Sequence, residues 1–246
     1  MAEHAPHHTH RKEGIVHFPH KRMRFLLVAL VASILIYPFV EGDALGYLAL
    51  ALVFSVVLIT GIYTVSHRRK DFLLGLALGV PAFVSNWLRF AWPLPEIIFL
   101  NHVFAILFYA FIIKSLLYVI LHVKKVTNEV LYGAVAVYLL IAIAWGWVFS
   151  LLEFFIPGSF EILVGPGTGQ PAHWADLVYF SFTALTSVGF ADVLPVTYFG
   201  RSLAIVEVIC GILYITILIG RLVGLYTGEA VAEGIEEAEA EGKLKG

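Results

Sequence analysis

The sequence predicts an all-α membrane protein with six transmembrane helices and a short re-entrant helix between the fifth and the sixth. The composition, the lengths of the apolar runs and the charges of the connecting segments all favour this fold. Hydrophobic residues make up 60% of the 246 residues and charged residues only 14%, whereas a soluble domain carries about 25% charged residues. A buried soluble core cannot account for so many long uncharged runs in a chain of this length.

Six apolar runs have the length of a membrane span, because a helix of about 20 residues crosses the hydrocarbon core of a bilayer. The runs are Met23–Val40, Leu45–Val65, Phe72–Phe90, Ile97–Leu121, Glu129–Leu152 and Tyr198–Tyr226. The first run has a basic flank, but its length and the poor cleavage site "YPFVEGDA" favour a retained span over a signal peptide. The half-apolar segment Trp174–Leu185 is too short to cross a bilayer and is predicted to be a re-entrant helix.

Basic residues lie on one side of this predicted topology. They cluster in the first 24 residues, in "HRRKD" after the second run and in "HVKKVTNE" after the fourth. Positively charged loops stay in the cytoplasm. Six spans with both termini in the cytoplasm place all three clusters there, so we expect a multi-pass protein of the cell (inner) membrane.

Composition divides the chain into four predicted parts. Residues 1–22 form a His-rich basic cytoplasmic tail, 23–127 a four-helix membrane domain, 128–227 the last two spans, and 228–246 an acidic cytoplasmic tail. The acidic tail is rich in strong helix formers. We predict a solvated, partly frayed helix there, with a helical bundle that continues the last span as the alternative.

The first tail contains six histidines that could bind a transition metal or sense pH. These are His4, His7, His8, His10, His17 and His20. They lack the fixed spacing of a metal site, and contact between a disordered basic tail and anionic lipids is the favoured interpretation.

The stretch "FTALTSVGFADVLP", from Phe182 to Pro195, places hydroxyl, glycine and acidic residues between apolar segments. Non-helical backbone is tolerated at membrane depth only where protein buries it or where it lines a watery cavity. β-branched residues, a glycine and an acid in close succession disfavour a helix here. An extended return of the chain would present successive carbonyl oxygens to one side, and such a row can replace the hydration shell of a cation.

Residues Glu129–Tyr226 resemble the pore domain of potassium channels, which has an outer helix, a re-entrant pore helix, a T-x-G-Y/F-G filter loop and an inner helix. The resemblance extends to "DVLPVTYFGR" after the filter and to Gly211 at the position of the inner-helix hinge glycine. It implies a passive cation channel, most directly a potassium-conducting one, that catalyses no covalent reaction. One chain supplies one filter segment and the pore needs four, so we expect a homotetramer.

The resemblance assigns the filter to Thr186, Ser187, Val188, Gly189, Phe190, Ala191 and Asp192. Backbone carbonyls of residues 187–190 would hold K⁺ ions, and no cofactor or metal beyond these permeant ions is expected. Asp192 is interpreted as a structural acid behind the filter, and Asp176 as a cap or first-turn charge of the pore helix. Pore-helix aromatic residues are expected to pack around the filter, namely Trp174, Tyr179 and Phe180.

Ala191 departs from the family pattern, which has a second filter glycine at this position. A residue with a Cβ there costs about 1 kcal/mol or shifts the outermost carbonyl. Two alternatives to a selective potassium channel therefore stay open: a poorly selective monovalent cation channel, and a non-conducting membrane sensor or scaffold.

Several residues within the spans have more than one interpretation. The fourth run contains Lys114 and no arginine, so arginine-based voltage sensing is not expected. Asn101 and His102 are either a polar packing pair, which we favour, or a pH-responsive spot. Glu207 is an intramembrane acid that is either structural or a tuner of conductance or gating. Gly211 is either a gating hinge or a site of close helix packing.

Overall fold

The computed structural model describes residues 22–36, 44–66, 69–123, 126–165 and 167–244. Over these residues the chain forms seven helices and two short strands. The helices are α1 (Arg22–Leu35), α2 (Ala44–Val65), α3 (Arg69–Ala91), α4 (Pro95–His122), α5 (Asn128–Phe155), α6 (Trp174–Leu185) and α7 (Tyr198–Leu244). The strands are β1 (Phe160–Ile162) and β2 (Val193–Pro195). The basic His-rich tail lies outside the described residues.

One of these helices overlaps each of the six predicted apolar runs, and the predicted short helix has the same bounds as α6. Among the described residues, four helices are long and apolar enough to cross a membrane, over Arg69–Arg89, Pro95–His122, Asn128–Phe155 and Tyr198–Gly228. Helix α1 has 14 residues and is shorter than the predicted first span, whose last residues lie outside the described part of the chain. The described residues thus establish a helical membrane protein, while six spans stay a prediction.

Helix α7 continues without a break for 47 residues. The acidic segment after residue 227 is therefore a helical continuation of the last predicted span as far as Leu244. Alanine and glutamate are strong helix formers, which accounts for this continuation. A bundle of such helices requires further copies of the chain and stays a prediction.

Helix α5 connects the first four helices to the C-terminal part of the chain. It packs against α1 and α4, and it also contacts α6 and α7. One large buried cluster draws on α1, α2, α4 and α5, with Leu26, Leu58, Phe108 and Leu140 among its buried members. The position of α6 is thus determined by a helix that is itself held in this core.

A second, smaller core of aromatic rings surrounds the two strands. The rings of Phe149, Phe160 and Phe180 lie 5.2–5.4 Å apart between centroids. Strands β1 and β2 pair antiparallel, with Phe160 opposite Pro195 and Ile162 opposite Val193. The sequence analysis did not predict these strands, because three residues are too few for a recognisable alternation.

Helices α5 and α6 approach closely at Gly146. A Cβ at this position would lie 2.5 Å from Cγ2 of Val178 and 3.0 Å from its Cα. Real Cβ atoms essentially never come as near to another atom as the 2.5 Å to Cγ2 of Val178. Small residues allow such close contact between membrane helices, so Gly146 determines how near α6 lies to α5.

Gly146→Ala is expected to reduce the free energy of unfolding by about 1–3 kcal/mol, because the added methyl group overpacks the contact with Val178. Denaturant titration of the purified protein in detergent micelles measures this change. Gly220→Ala is the matched control, since a Cβ at Gly220 meets no atom within 4 Å. The control should be neutral or slightly stabilising, because alanine has the higher helix propensity. Equal stabilities of the two variants would contradict the close approach.

Candidate functional site

The first turn of α6 is stabilised by a carboxylate. Oδ2 of Asp176 accepts a hydrogen bond of 2.9 Å from the backbone N–H of His173, the residue before the helix. An acidic side chain at this end also interacts favourably with the helix dipole. Asp176 therefore caps the helix, as the sequence analysis expected. The ring of Trp174 lies 5.2 Å from that of Trp147 on α5 and anchors the same end of α6.

The segment after α6 is tied back to the last turn of the helix. The carbonyl oxygen of Thr183 accepts backbone hydrogen bonds from Val188 at 3.0 Å and from Gly189 at 3.3 Å. The N–H of Ser187 donates to the carbonyl of Ala184 at 2.9 Å. Amide groups in the middle of the predicted filter thus point toward α6.

These hydrogen bonds determine where the carbonyl groups of the segment point. A trans peptide group directs its N–H and its C=O to opposite sides, and the described peptide bonds are all trans. Since the N–H groups of Val188 and Gly189 point to Thr183, the carbonyls of Ser187 and Val188 point away from α6. Residues 186–191 are exposed in the single chain, so these carbonyls lie on the open side of the segment.

The backbone of the segment alternates in handedness. Ser187, Gly189 and Ala191 have φ values of 59°, 59° and 61°, in the left-handed region that favours glycine. Val188 and Phe190 between them do not. Alternation of this kind turns successive N–H groups to one side and successive carbonyls to the other. Ala191 adopts the conformation that a glycine would take, at a cost of about 1 kcal/mol.

Asp192 is bound behind this segment by three hydrogen bonds. Its Oδ2 accepts from the hydroxyl of Tyr179 on α6 at 2.5 Å, and its Oδ1 accepts from the N–H of Val193 at 3.0 Å. Its carbonyl accepts from the N–H of Leu163, next to β1, at 2.7 Å. Asp192 therefore connects the end of the segment to both α6 and the strand pair.

The three aromatic residues predicted to pack around the filter have different neighbours. Tyr179 reaches the filter segment through its bond to Asp192. Phe180 packs in the aromatic core of the strands, and Trp174 packs against α5. All three thus hold α6 or the segment after it.

Helices α6 and α7 run in the same direction where they touch. Ser181 of α6 contacts Glu207 of α7, and Leu185 contacts Gly211 one turn further along both helices. Residues 186–197 therefore run back from the C-terminal end of α6 to its N-terminal end, where α7 begins.

Helices α6 and α7 pack closely at Gly211. A Cβ on Gly211 would overlap the carbonyl oxygen of Leu185, the last residue of α6. The same carbonyl accepts a hydrogen bond of 3.2 Å from the hydroxyl of Tyr138 on α5. The end of α6 is thus held between α5 and α7, which favours the close-packing interpretation of Gly211.

Two tyrosines that the sequence analysis did not single out support this contact. The rings of Tyr138 and Tyr214 stack with centroids 5.6 Å apart. The hydroxyl of Tyr214 donates to the carbonyl of Ala134 at 2.7 Å. A tyrosine hydroxyl within an apolar span needs a hydrogen-bond partner. This requirement was the signal in the sequence that could have indicated the two contacts.

Glu207 is fully buried, at 0% relative exposure. Its Oε1 lies within hydrogen-bond distance of the hydroxyl of Ser181, and that hydroxyl is also 2.7 Å from the carbonyl oxygen of Ala142 on α5. The carboxyl group of this intramembrane acid therefore faces α6.

The polar residues of α4 make structural contacts. Nδ2 of Asn101 donates to the hydroxyl of Ser85 at 3.3 Å, and Nδ1 of His102 donates to the carbonyl of Ile98 at 2.6 Å. These contacts agree with the packing interpretation. Lys114 is exposed. Within the described part of the chain, no group of three or more histidine, cysteine, aspartate or glutamate residues is arranged to hold a metal ion.

Gly211→Ala tests the close packing of α6 on α7. Because the methyl group overlaps a backbone carbonyl that cannot rotate away, the free energy of unfolding should fall by about 1–3 kcal/mol. Denaturant titration in micelles measures it, and Gly224→Ala is the control, since a Cβ there meets no atom within 4 Å. A Gly211→Ala variant as stable as the control would instead favour the hinge interpretation.

The region from α5 to α7 matches a family of known proteins. Residues 135–227 match the family model described as "Ion channel". The match covers most of α5, all of α6, the segment after it and the predicted span of α7. No curated protein and no solved structure matches the chain. The match supports an ion-channel pore domain over residues 135–227, and the apolar helices support a membrane protein.

Proposed function

We propose that the chain is one subunit of a tetrameric potassium channel in the cell (inner) membrane. The pore passes K⁺ passively down its gradient, and it requires no cofactor and catalyses no covalent reaction. Residues 186–192 are the selectivity filter, with one copy from each subunit. This function goes beyond the ion-channel pore domain that the family match supports.

The direction of the filter carbonyls is the observation that carries this proposal. The amides of Val188 and Gly189 are bound to α6, so the carbonyls of Ser187 and Val188 face the open side. The alternating backbone continues this arrangement through Gly189 and Phe190. A row of carbonyl dipoles on one side can replace the hydration shell of a cation.

Four subunits are needed because one filter segment covers one side of an ion. Val188 and Phe190 are 55% and 66% exposed in the single chain, although they are apolar residues next to backbone that must not face lipid. Neighbouring subunits around a closed axis would cover both. The tetramer therefore also explains why these side chains lack partners within one chain.

The membrane topology that accompanies this function has six spans and a re-entrant pore helix, with both termini in the cytoplasm. A helix overlaps each of the six predicted runs, and the three basic clusters fall on one side of this topology. The parallel contact between α6 and α7 supports re-entry, because the chain must turn back between them. Contact of the basic tail with anionic lipid belongs to the same proposal.

Selectivity for K⁺ over Na⁺ is the part of the proposal that depends on Ala191. Its φ of 61° keeps the glycine-like backbone, so the outer carbonyl is not displaced by the Cβ. This favours a selective pore. The alternative, a poorly selective monovalent cation channel, is favoured by the strain of about 1 kcal/mol that this conformation stores.

Reversal potentials in planar bilayers, with K⁺ on one side and Na⁺ on the other, test the proposal. We expect a value near the K⁺ equilibrium potential. Ala191→Gly relieves about 1 kcal/mol of strain and should change the K⁺/Na⁺ permeability ratio by no more than about fivefold, upward. Gly189→Ala is the matched control: it adds a Cβ at the same left-handed conformation and should lower the ratio about fivefold or more.

Two outcomes contradict the proposal in different ways. Single-channel steps that reverse near zero would establish the poorly selective channel, and recovery of selectivity in Ala191→Gly would assign the defect to this residue. Absence of steps over a wide range of voltage and pH would favour the non-conducting sensor or scaffold.

Native mass spectrometry of the protein released from detergent tests the assembly. The expected species has four times the mass of one chain, because a closed ring of four filters is the smallest complete site. A dimer or monomer as the main species, under conditions that preserve a known tetrameric channel, would contradict the proposal.

A further inference from the structure

The groups around Glu207 supply too few hydrogen-bond donors for its carboxylate to be ionised. The hydroxyl oxygen of Ser181 lies at hydrogen-bond distance from two oxygens, the carbonyl of Ala142 and Oε1 of Glu207. A serine hydroxyl has one hydrogen to donate, and a backbone carbonyl has none. If the carboxylate were ionised, one of these two contacts would bring two oxygens together without a hydrogen between them.

We infer that Glu207 is a neutral carboxylic acid whose hydrogen bond to Ser181 positions the pore helix. Glu207 donates its proton to Ser181, and Ser181 donates in turn to the carbonyl of Ala142. The result is a directed chain that links α7 to α6 and α6 to α5. This role rests on the proposed function, since it concerns the helix that carries the filter.

The second carboxyl oxygen supports the neutral state independently. Oε2 of Glu207 is buried and has no hydrogen-bond partner. A negative charge shared with such an oxygen would be uncompensated at membrane depth, where burial of an unpaired charge is strongly unfavourable. A carbonyl oxygen of a neutral acid loses much less there.

Tyr138 cannot supply the missing hydrogen. Tyr138 lies on α5, near enough to Glu207 for an electrostatic interaction. Its hydroxyl donates to the carbonyl of Leu185 at 3.2 Å. The proton of the Ser181 contact must therefore come from Glu207.

The position of these linked hydrogen bonds explains why they would influence the filter. Ser181 and Glu207 lie one helical turn before Leu185 and Gly211, where α6 ends against α7. The filter amides are bound to Thr183, between these two contacts. A shift of α6 at Ser181 would thus move the carbonyl that holds Val188 and Gly189.

Infrared spectroscopy of the full-length protein in lipid tests the proton directly. A protonated carboxyl group gives a carbonyl band that an ionised one lacks. We expect this band in the wild type, its loss in Glu207→Gln, and a shift of its frequency in Ser181→Ala. Glu96→Gln, at an exposed residue of α4, is the matched control and should leave the band in place. A wild-type spectrum unchanged by Glu207→Gln would overturn the inference.

Rescue by the conservative variant tests the positioning role. Glutamine retains a neutral donor, so Glu207→Gln should keep the K⁺/Na⁺ permeability ratio of the wild type. Glu207→Leu has no donor, and Ser181→Ala removes the middle of the chain. Each should lower the ratio about tenfold or more, because a buried partner is left unsatisfied. If Glu207→Leu does not fold, Ser181→Ala still decides the matter.

The two measurements separate this inference from the proposed function. Loss of selectivity in Glu207→Gln equal to that in Ser181→Ala would show that a charge, not a neutral donor, is required, and would overturn the inference. A protein that conducts no ions but shows the Glu207 band would contradict the proposed function and retain the neutral acid.

Discussion

The placement of one short helix between two glycines is the constraint on which the rest of the pore region depends. Helix α6 touches α5 at Gly146 and α7 at Gly211; a Cβ at Gly146 would overlap Cγ2 of Val178, and one at Gly211 would overlap the backbone carbonyl of Leu185. Neither contact leaves room for a side chain, so the distance of α6 from both helices is set by close packing at these two glycines. Interiors of this density transmit displacement instead of absorbing it.

Polar side chains complete what the glycines begin. Within an apolar environment a buried polar group needs a partner, and one tyrosine of α5 and the acid of α7 find theirs on α6. Tyr138 binds the carbonyl of Leu185, and Glu207 binds Ser181. These bonds have direction, so they determine the rotation of α6 about its axis as well as its distance. The hydrogen bonds from Val188 and Gly189 to Thr183 then pass this orientation on to the segment after α6.

The segment after α6 is strained and is held at both ends. Ser187 and Ala191 have side chains and yet adopt left-handed backbone conformations, which persist only where the surroundings over-determine them. Here the surroundings are α6 on one side and Asp192 on the other, with its bonds to Tyr179 and to the segment beside β1. The strand pair is short, but it holds the chain in place between this segment and α7.

Much of this protein was predictable from local pattern. Apolar length and the positive-inside distribution predicted the helices, and the half-apolar segment Trp174–Leu185 predicted α6 with its observed bounds. The motif from Thr186 to Asp192 resembles a potassium-channel filter, and the glycine-type backbone that this resemblance implies is present at Gly189 and Ala191, while its role as a filter stays a prediction. The contacts at Gly146, Tyr138 and Tyr214 were not predictable, nor were the strands. The partners of these three residues lie far away along the chain, and the strands are too short to show a period. Only the packing of distant segments therefore selects these contacts and strands. By itself the sequence determined which segments are helical, since this follows from neighbouring residues. Only the tertiary structure decided that Glu207 and Gly211 face α6, because a helix face has no meaning until another helix covers it.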